Sequence, residues 1–448
     1  MSGGSELQKR TVEFLRRAFP GVKIPIACRV AVQTILGLAG RVRRAVRGGA
    51  TGLPVASFGE TDKDVFFGYY DLCPLSGDGT ILLATRVPAW GKGSTEGQPT
   101  FMEVGFYSRL DRRPLFRLLG TTDTWCWQQG CRLQWYPLTD SGSSRTVLYN
   151  TMVNGRYGSV LRHLETGETI RSFGRVVYAA TPDGKWGLSL DFSRLGRLRP
   201  GYGYTKFPDR TEKDPAPADN GIWRIDLASG KCRLLFSLAD AADFHPLDSM
   251  QGAEHYFNHL LSSPTGERFL FLHLWKGTHR RYGRMITCDI DGCRWCLLNN
   301  EGHTSHYTWK NETHILAYAT HRENGTGFFE YEDLTGRRRM VAGSALLEDG
   351  HPSYSPDKRW LLLDTYPDRF REQHLYLYDF RSGRVFVLGS VYAPVRYRGR
   401  RRCDLHPRWD HSGRYVSIDS AHRGRRVVNL IDVGPLFARI REFGDVRR

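Results

Sequence analysis

Four stretches of this sequence align without a gap: His259-Leu-Leu-Ser-Ser-Pro-Thr-Gly266, His306-Tyr-Thr-Trp-Lys-Asn-Glu-Thr313, His351-Pro-Ser-Tyr-Ser-Pro-Asp-Lys358 and His406-Pro-Arg-Trp-Asp-His-Ser-Gly413. Each reads as four residues of strand followed by a tight polar turn. An apolar strand comes after each turn: Arg268-Phe-Leu-Phe-Leu272, Ile315-Leu-Ala-Tyr318, Trp360-Leu-Leu-Leu-Asp364 and Tyr415-Val-Ser-Ile-Asp419. A third strand follows where the spacing allows, as in Leu375-Tyr-Leu-Tyr-Asp379. The histidines recur at intervals of about 45 to 55 residues, the length of a four-stranded propeller blade.

Three weaker copies lie upstream. Gly77-Asp-Gly79 precedes Ile81-Leu-Leu-Ala84, Trp135-Tyr-Pro137 precedes Val147-Leu-Tyr149, and Thr181-Pro-Asp-Gly184 precedes Trp186-Gly-Leu-Ser-Leu190. Together the repeats predict an all-β chain, a seven-bladed β-propeller spanning 60–435. A loop rich in Pro, Asp and Lys at 193–220 interrupts the third copy. Two separate β domains would fit less well, because the repeat runs on without a linker.

Residues 1–50 differ in kind. They hold ten Lys/Arg and two acids, and so carry about half of the formal net charge of +17. They read as a basic, amphipathic helical extension, with Val30, Ile35, Leu38 and Val42 on one side of its second helix. Such a helix either packs on the main domain or lies in an anionic membrane surface. Residues 51–64 read as a linker. The apolar run from Ile24 to Gly40 contains Pro25 and Arg29, which makes it short and interrupted for a membrane span or a secretory signal.

The nine cysteines are an odd number and suit a reduced setting. The expected location is cytoplasmic, peripheral on the inner membrane if the extension binds lipid. Cys288, Cys293 and Cys296 lack a fourth nearby ligand and read as strand thiols ahead of a zinc or iron–sulfur site. The basic charge admits anionic lipid, nucleic acid or an acidic glycan as partner. No nucleic-acid-binding motif accompanies it, so nucleic acid is not expected.

In a propeller the innermost strands run along the central channel, so His259, His306, His351 and His406 are expected at one channel mouth. The second strands end at the same mouth and would bring His273, His321, Tyr366 and His422 there. Converging imidazoles take a divalent metal readily. Asp404 lies two residues before His406, shares its strand face and would add a carboxylate. A mixed N and O donor set suits manganese, zinc, calcium or iron. Hydrogen-bonded structural histidines are the plainer alternative. The run Arg396, Arg398, Arg400, Arg401 and Arg402 reads either as a solvated loop or as a holder of carboxylates or phosphates at the channel mouth.

At these residues the chain resembles the oligogalacturonate lyases, seven-bladed propellers that cleave uronides with a divalent metal. The resemblance spans 258–433 and rests on Phe271-Leu-His273, Arg284-Met285 before Asp291-Gly292, Ser305-His306-Tyr-Thr-Trp309, and Asp404-Leu-His406-Pro407. It implies His273 as proton abstractor and His306 and His406 as metal ligands. The residues themselves add Arg284 as carboxylate partner, with His259 beside the base, and His351 and Asp404 as further metal ligands. The chain departs from the family where a third metal histidine falls on Asp404 and a glutamine ligand falls near Arg401. The first half is similar to propellers of bacterial surface-polysaccharide gene clusters, through Phe66-Phe-Gly-Tyr-Tyr-Asp71 and Trp127-Gln-Gln-Gly130. Tyr70, Asp71, Gln129, Arg401 and Arg402 are the expected substrate contacts.

The reaction implied is metal-assisted β-elimination on a uronate-containing oligosaccharide or polysaccharide, with manganese among the candidate ions. One rival is a glycoside hydrolase with Asp71 and Asp404 as its carboxylate pair. Another is a propeller that binds glycan or scaffolds an assembly without catalysis. A serine peptidase is not expected, because no G-x-S-x-G elbow or α/β-hydrolase domain follows.

Overall fold

The repeats fold as seven four-stranded antiparallel sheets. The structure is a computed structural model that describes residues 53–89, 99–137, 145–277, 281–301, 303–346 and 348–445. The basic extension read at residues 1–50 lies outside the described residues.

Each sheet is one blade, and in the first six the strands run in sequence order from the channel outward. Blade one holds Lys63–Phe66, Ile81–Pro88, Met102–Ser108 and Phe116–Thr122, and blade two begins with Gln134–Trp135. Blade three begins with Ala179–Ala180 and blade four with Glu254–Ser262. Blades five, six and seven begin with Thr304–Trp309, Ser353–Tyr354 and Arg408–Trp409. The architecture is the seven-bladed β-propeller that the repeats predict.

The shared turn has a physical cause that the sequence carries. The backbone closes Ser76–Gly79, Thr181–Gly184, Ser263–Gly266, Ser355–Lys358 and Asp410–Gly413 with the same hydrogen bond, the fourth residue's N–H to the first residue's carbonyl. In each case the first side chain also accepts the N–H five residues on, that of Ile81, Trp186, Arg268, Trp360 or Tyr415. Three of the turns add an aspartate at the third position, Asp78, Asp183 or Asp357, that accepts the N–H two residues later. The polar side chain fixes the reversal, and the apolar run after it enters the core.

Ring closure differs from the sequence reading. Within the stretch read as a linker, Val55–Phe58 is a strand that pairs Val55 with Ile431 and Phe58 with Val428. It forms the outer edge of blade seven, whose other three strands come from the far end of the chain. Ser57 Oγ donates to Asn429 Oδ1 across this seam at 2.8 Å. The stretch 193–220 also holds more than a loop. Phe192–Leu198 is a helix capped by Asp191, whose carboxylate accepts the N–H of Ser193 and Arg194.

Candidate metal centre

The channel is filled at its middle by a turn from blade one. Asp419 accepts the backbone N–H of Phe67 and Gly68, and Arg408 donates to the carbonyls of Gly68 and Tyr69. Gly68 sits at φ +138°, and a Cβ there would lie 3.0 Å from the Gln129 carbonyl oxygen, so the close approach requires glycine. The turn drives Tyr69 and Tyr70 between the histidines. Tyr69 is edge-on to His259 and His406, both at 5.0 Å between ring centres, and Tyr70 lies 5.0 Å from His351.

All four aligned histidines are buried and meet around these tyrosines. The ring centres of His306 and His351 are 4.0 Å apart, and those of His351 and His406 are 4.4 Å apart. His259 stacks on Tyr307 at 4.2 Å. His259 lies within the innermost strand of blade four, where the ladder register shifts between Asn258 and Leu261. His306 sits at the matching irregularity between Thr304 and Tyr307. These bulges turn the side chains toward the axis. His259 and His406 have φ of +54° and +45°, a region that costs a non-glycine residue about 1–2 kcal/mol. The surrounding packing holds that strain at the site.

A ring nitrogen from each of His351 and His406 and a carboxylate oxygen of Asp404 lie within 4.8 Å of one another. The Nε2 atoms of His351 and His406 are buried and have no hydrogen-bond partner. Leaving such a group unsatisfied costs about 1–3 kcal/mol, which a cation accepted there would offset. His351 Nδ1 lies 2.9 and 3.0 Å from the two oxygens of Asp364, which also accepts the backbone N–H of His351 and His406. That contact fixes the ring and directs Nε2 at the cluster, as carboxylate-backed histidine ligands do. The donors present therefore fit a divalent ion.

Asp349, Asp364 and Asp404 stand at the cluster; Arg402 Nε donates to both oxygens of Asp404 at 2.6 and 2.8 Å, and Arg408, which pairs with Asp419, also bears on His406. Burial pushes the Asp404 carboxyl up, but the Arg402 guanidinium outweighs it and holds the group below the usual carboxylate range. Burial pushes the His351 imidazole down, and Asp364 lifts it above its ordinary value. Burial lowers His259 and His406 well below that value, and lowers His306 as well.

His306 stands against this group in a different role. Its Nδ1 is 3.0 Å from Asp349 Oδ1, and its Nε2 is 3.4 Å from the Tyr366 hydroxyl. It lines a cavity of about 290 Å³ with Tyr69, Arg199, Asn258, Arg281 and His303. A second cavity, of about 320 Å³, lies beyond the tyrosine plug and is lined by Asp71, Trp309, Lys358, Arg408 and Trp409.

Other expected residues are engaged elsewhere. His273 is fully buried, accepts from Arg284 Nε at 3.1 Å on Nδ1, and meets His255 Nδ1 at 2.8 Å on Nε2. Its ring neighbours are His255, Phe257 and Trp275, none of them in the histidine cluster. Arg284 spends its other nitrogens on the carbonyls of Ala241 and His245. His321 is held by Glu301 and Tyr331, whereas Tyr366 does reach the cluster. Asp71 forms a fork with Arg132 at 3.0 and 2.8 Å, both side chains 1% exposed. Asp71 and Asp404 each carry their own arginine, so the hydrolase pair is not assembled. Gln129 is buried and donates to the Tyr178 hydroxyl. The Arg401 carbonyl accepts from Arg426, and Arg401 closes the short helical turn Gly399–Arg401. Among the described residues the cysteines form no metal group.

Asp349, Asp364, Arg199 and Arg281 are absent from the sequence reading. Two of them left a signal: Asp349 stands two residues before His351, as Asp404 does before His406, and Asp364 ends the second strand of its blade, where Asp419 is the last residue but one in the next. Asp419 there holds Arg408 and the tyrosine turn.

Fold and centre together define a seven-bladed propeller with a histidine-lined axis. Its fold is similar to that of an oligogalacturonate lyase in complex with manganese, at 14% identity and a TM-score of 0.57, covering 86% of this chain and 94% of that one. An oligogalacturonate lyase from Vibrio parahaemolyticus is similar at 15% identity and a TM-score of 0.55, covering 85% of this chain and 97% of that one. No family model matches the sequence, and no curated protein does.

Proposed function

We propose that the protein is a metal-assisted lyase acting by β-elimination on a uronate-containing glycan. The observation that carries this is the unpartnered Nε2 pair of His351 and His406 beside the Asp404 carboxylate. One of the fold neighbours is a lyase in complex with manganese, which makes manganese the first ion to test. His351, His406 and Asp404 hold the ion, with Asp364 orienting His351. A divalent cation bound there supplies positive charge against the substrate carboxylate and so makes the adjacent C5 proton more acidic.

The remaining chemistry belongs to the chain. Arg199 and Arg281, at the cavity, pair with substrate carboxylates. His306 is a better base than His273, because Asp349 orients it and it borders the cavity. The C5–H bond breaks and its proton passes to His306 Nε2. The electron pair forms the C4–C5 double bond, the C4–O bond breaks, and the leaving oxygen takes a proton from water. Tyr69 lines the cavity beside His306 and closes it toward the channel.

The test is to incubate the purified protein with a panel of acidic glycans, with and without Mn²⁺, and to follow the ultraviolet absorbance of the conjugated uronide product. Product formation that stops after chelation and returns with Mn²⁺ is expected. Manganese binding with no unsaturated product from any uronide would replace this reading with a glycan-binding propeller.

A further inference from the structure

We infer that Arg402 and a divalent cation are alternative partners of Asp404, so that Arg402 gates the metal centre. The inference rests on the metal reading of His351, Asp404 and His406. Asp404 is a buried carboxylate whose two oxygens both receive one nitrogen, Arg402 Nε. A cation arriving at those oxygens while the guanidinium sits on them meets a second positive charge on one buried carboxylate, where repulsion is little screened.

The Arg132–Asp71 pair shows how this protein builds a permanent ion pair. Two nitrogens meet two oxygens, and both side chains are 1% exposed. The Arg402–Asp404 pair is built differently. Only Nε makes the contact, and the Arg402 side chain is 31% exposed, so it has a route to solvent. Its guanidinium rests on the Tyr366 ring at 5.0 Å, and the Tyr366 hydroxyl points to His306. The backbone beneath is pinned. The Arg402 carbonyl accepts from Gln128 Nε2 at 2.8 Å and from Arg426 Nη2 at 3.0 Å. A rotation of the side chain alone therefore opens Asp404, with no movement of the segment 403–407 that carries Asp404 and His406 into the innermost strand of blade seven.

The two roles open to Arg402 differ in sign. A residue that merely positions Asp404 would weaken ion binding when removed. A gate would strengthen it, because its removal ends both the competition for the carboxylate and the repulsion of the arriving charge. Calorimetric titration with Mn²⁺ on the full chain separates them, using the wild type, Arg402→Met, Arg402→Gln and Asp404→Asn, with ion-free melting curves as the check of folding. The gate predicts that Mn²⁺ binds Arg402→Met and Arg402→Gln at least about ten-fold more tightly than the wild type. Equal or weaker binding by whichever of the two folds would overturn it. If Asp404→Asn leaves wild-type Mn²⁺ binding intact, the ion lies elsewhere, and the metal reading fails with the gate. If the wild type binds no Mn²⁺ but the Arg402 variants do, the gate stands as a closed one. If none binds, both ideas are refuted.

Discussion

Asp364 and His351 behave as a unit, so the account makes a graded prediction at that pair. His351→Ala removes a ligand and should abolish Mn²⁺ binding in titration calorimetry. Asp364→Asn keeps the ligand and loses the carboxylate behind it, and should weaken binding about 10- to 100-fold. The buried chain Arg284–His273–His255 makes a second prediction, on stability. Arg284 donates to His273 Nδ1, so His273 Nε2 carries the proton and donates to His255 Nδ1. His255 Nε2 then faces the Met250 carbonyl. Arg194 donates to the His255 carbonyl and adds to the positive charge around it. Burial depresses His255 to about 4. Below the ordinary imidazole range the unfolded chain takes up a proton that the folded one refuses. The contribution of His255 is therefore full above about pH 6.5 and is lost as the pH drops toward 4, by about 2 kcal/mol at pH 5. Denaturant unfolding of wild type and His255→Gln between pH 7 and 5 checks this: the variant should lose about that share of the fall and keep the share from His259, His273 and His406, which burial also depresses. The four cluster histidines were legible because they recur at blade spacing. Their partners were not. Arg199 and Arg281 come from a helix end and a third strand outside the aligned columns, whereas Asp349 precedes His351 at the spacing by which Asp404 precedes His406. Strand alternation gives His273 a sheet face, but not which neighbouring blade that face meets.

The strand Val55–Phe58 is where an element decides the fold's integrity. Phe58 is buried and packs on Tyr107 at 5.4 Å between ring centres, so it couples the seam of blade seven to blade one. Phe58→Ala should cost about 3 kcal/mol in denaturant unfolding. Truncation after residue 59 should lower the melting temperature far more than truncation after residue 52, because it leaves blade seven with an open edge. Equal melting of the two truncations would contradict the closure. The five shared turns were readable from their Ser, Thr, Pro, Asp and Gly residues. This strand was not, since four residues give little periodicity and its partner strand lies near the other end of the sequence. The two-residue innermost strands of blades two, three, six and seven were readable only through the turns that follow them.

For the whole molecule, the charge divides into a basic first fifty residues and a mildly basic propeller. No helix among the described residues is long and apolar enough to cross a membrane. The sequence of residues 1–50 predicts that the full chain sediments with anionic vesicles at low salt, and that a chain starting at residue 53 does so less. Equal sedimentation would remove the basis for a peripheral location. The propeller's central claim is that blades six and seven bring His351, His406 and Asp404 to one point on the axis to hold a divalent cation, beside His259 and His306 from blades four and five. Diffraction from crystals grown with Mn²⁺, collected at the manganese absorption edge, tests it directly. The account predicts one anomalous peak between His351 Nε2, His406 Nε2 and Asp404, about 2.0–2.2 Å from the nitrogens, with Arg402 turned away from the carboxylate. A map with no peak there, or with manganese only at the Asp368, Glu372 and His374 group on blade six, would contradict it.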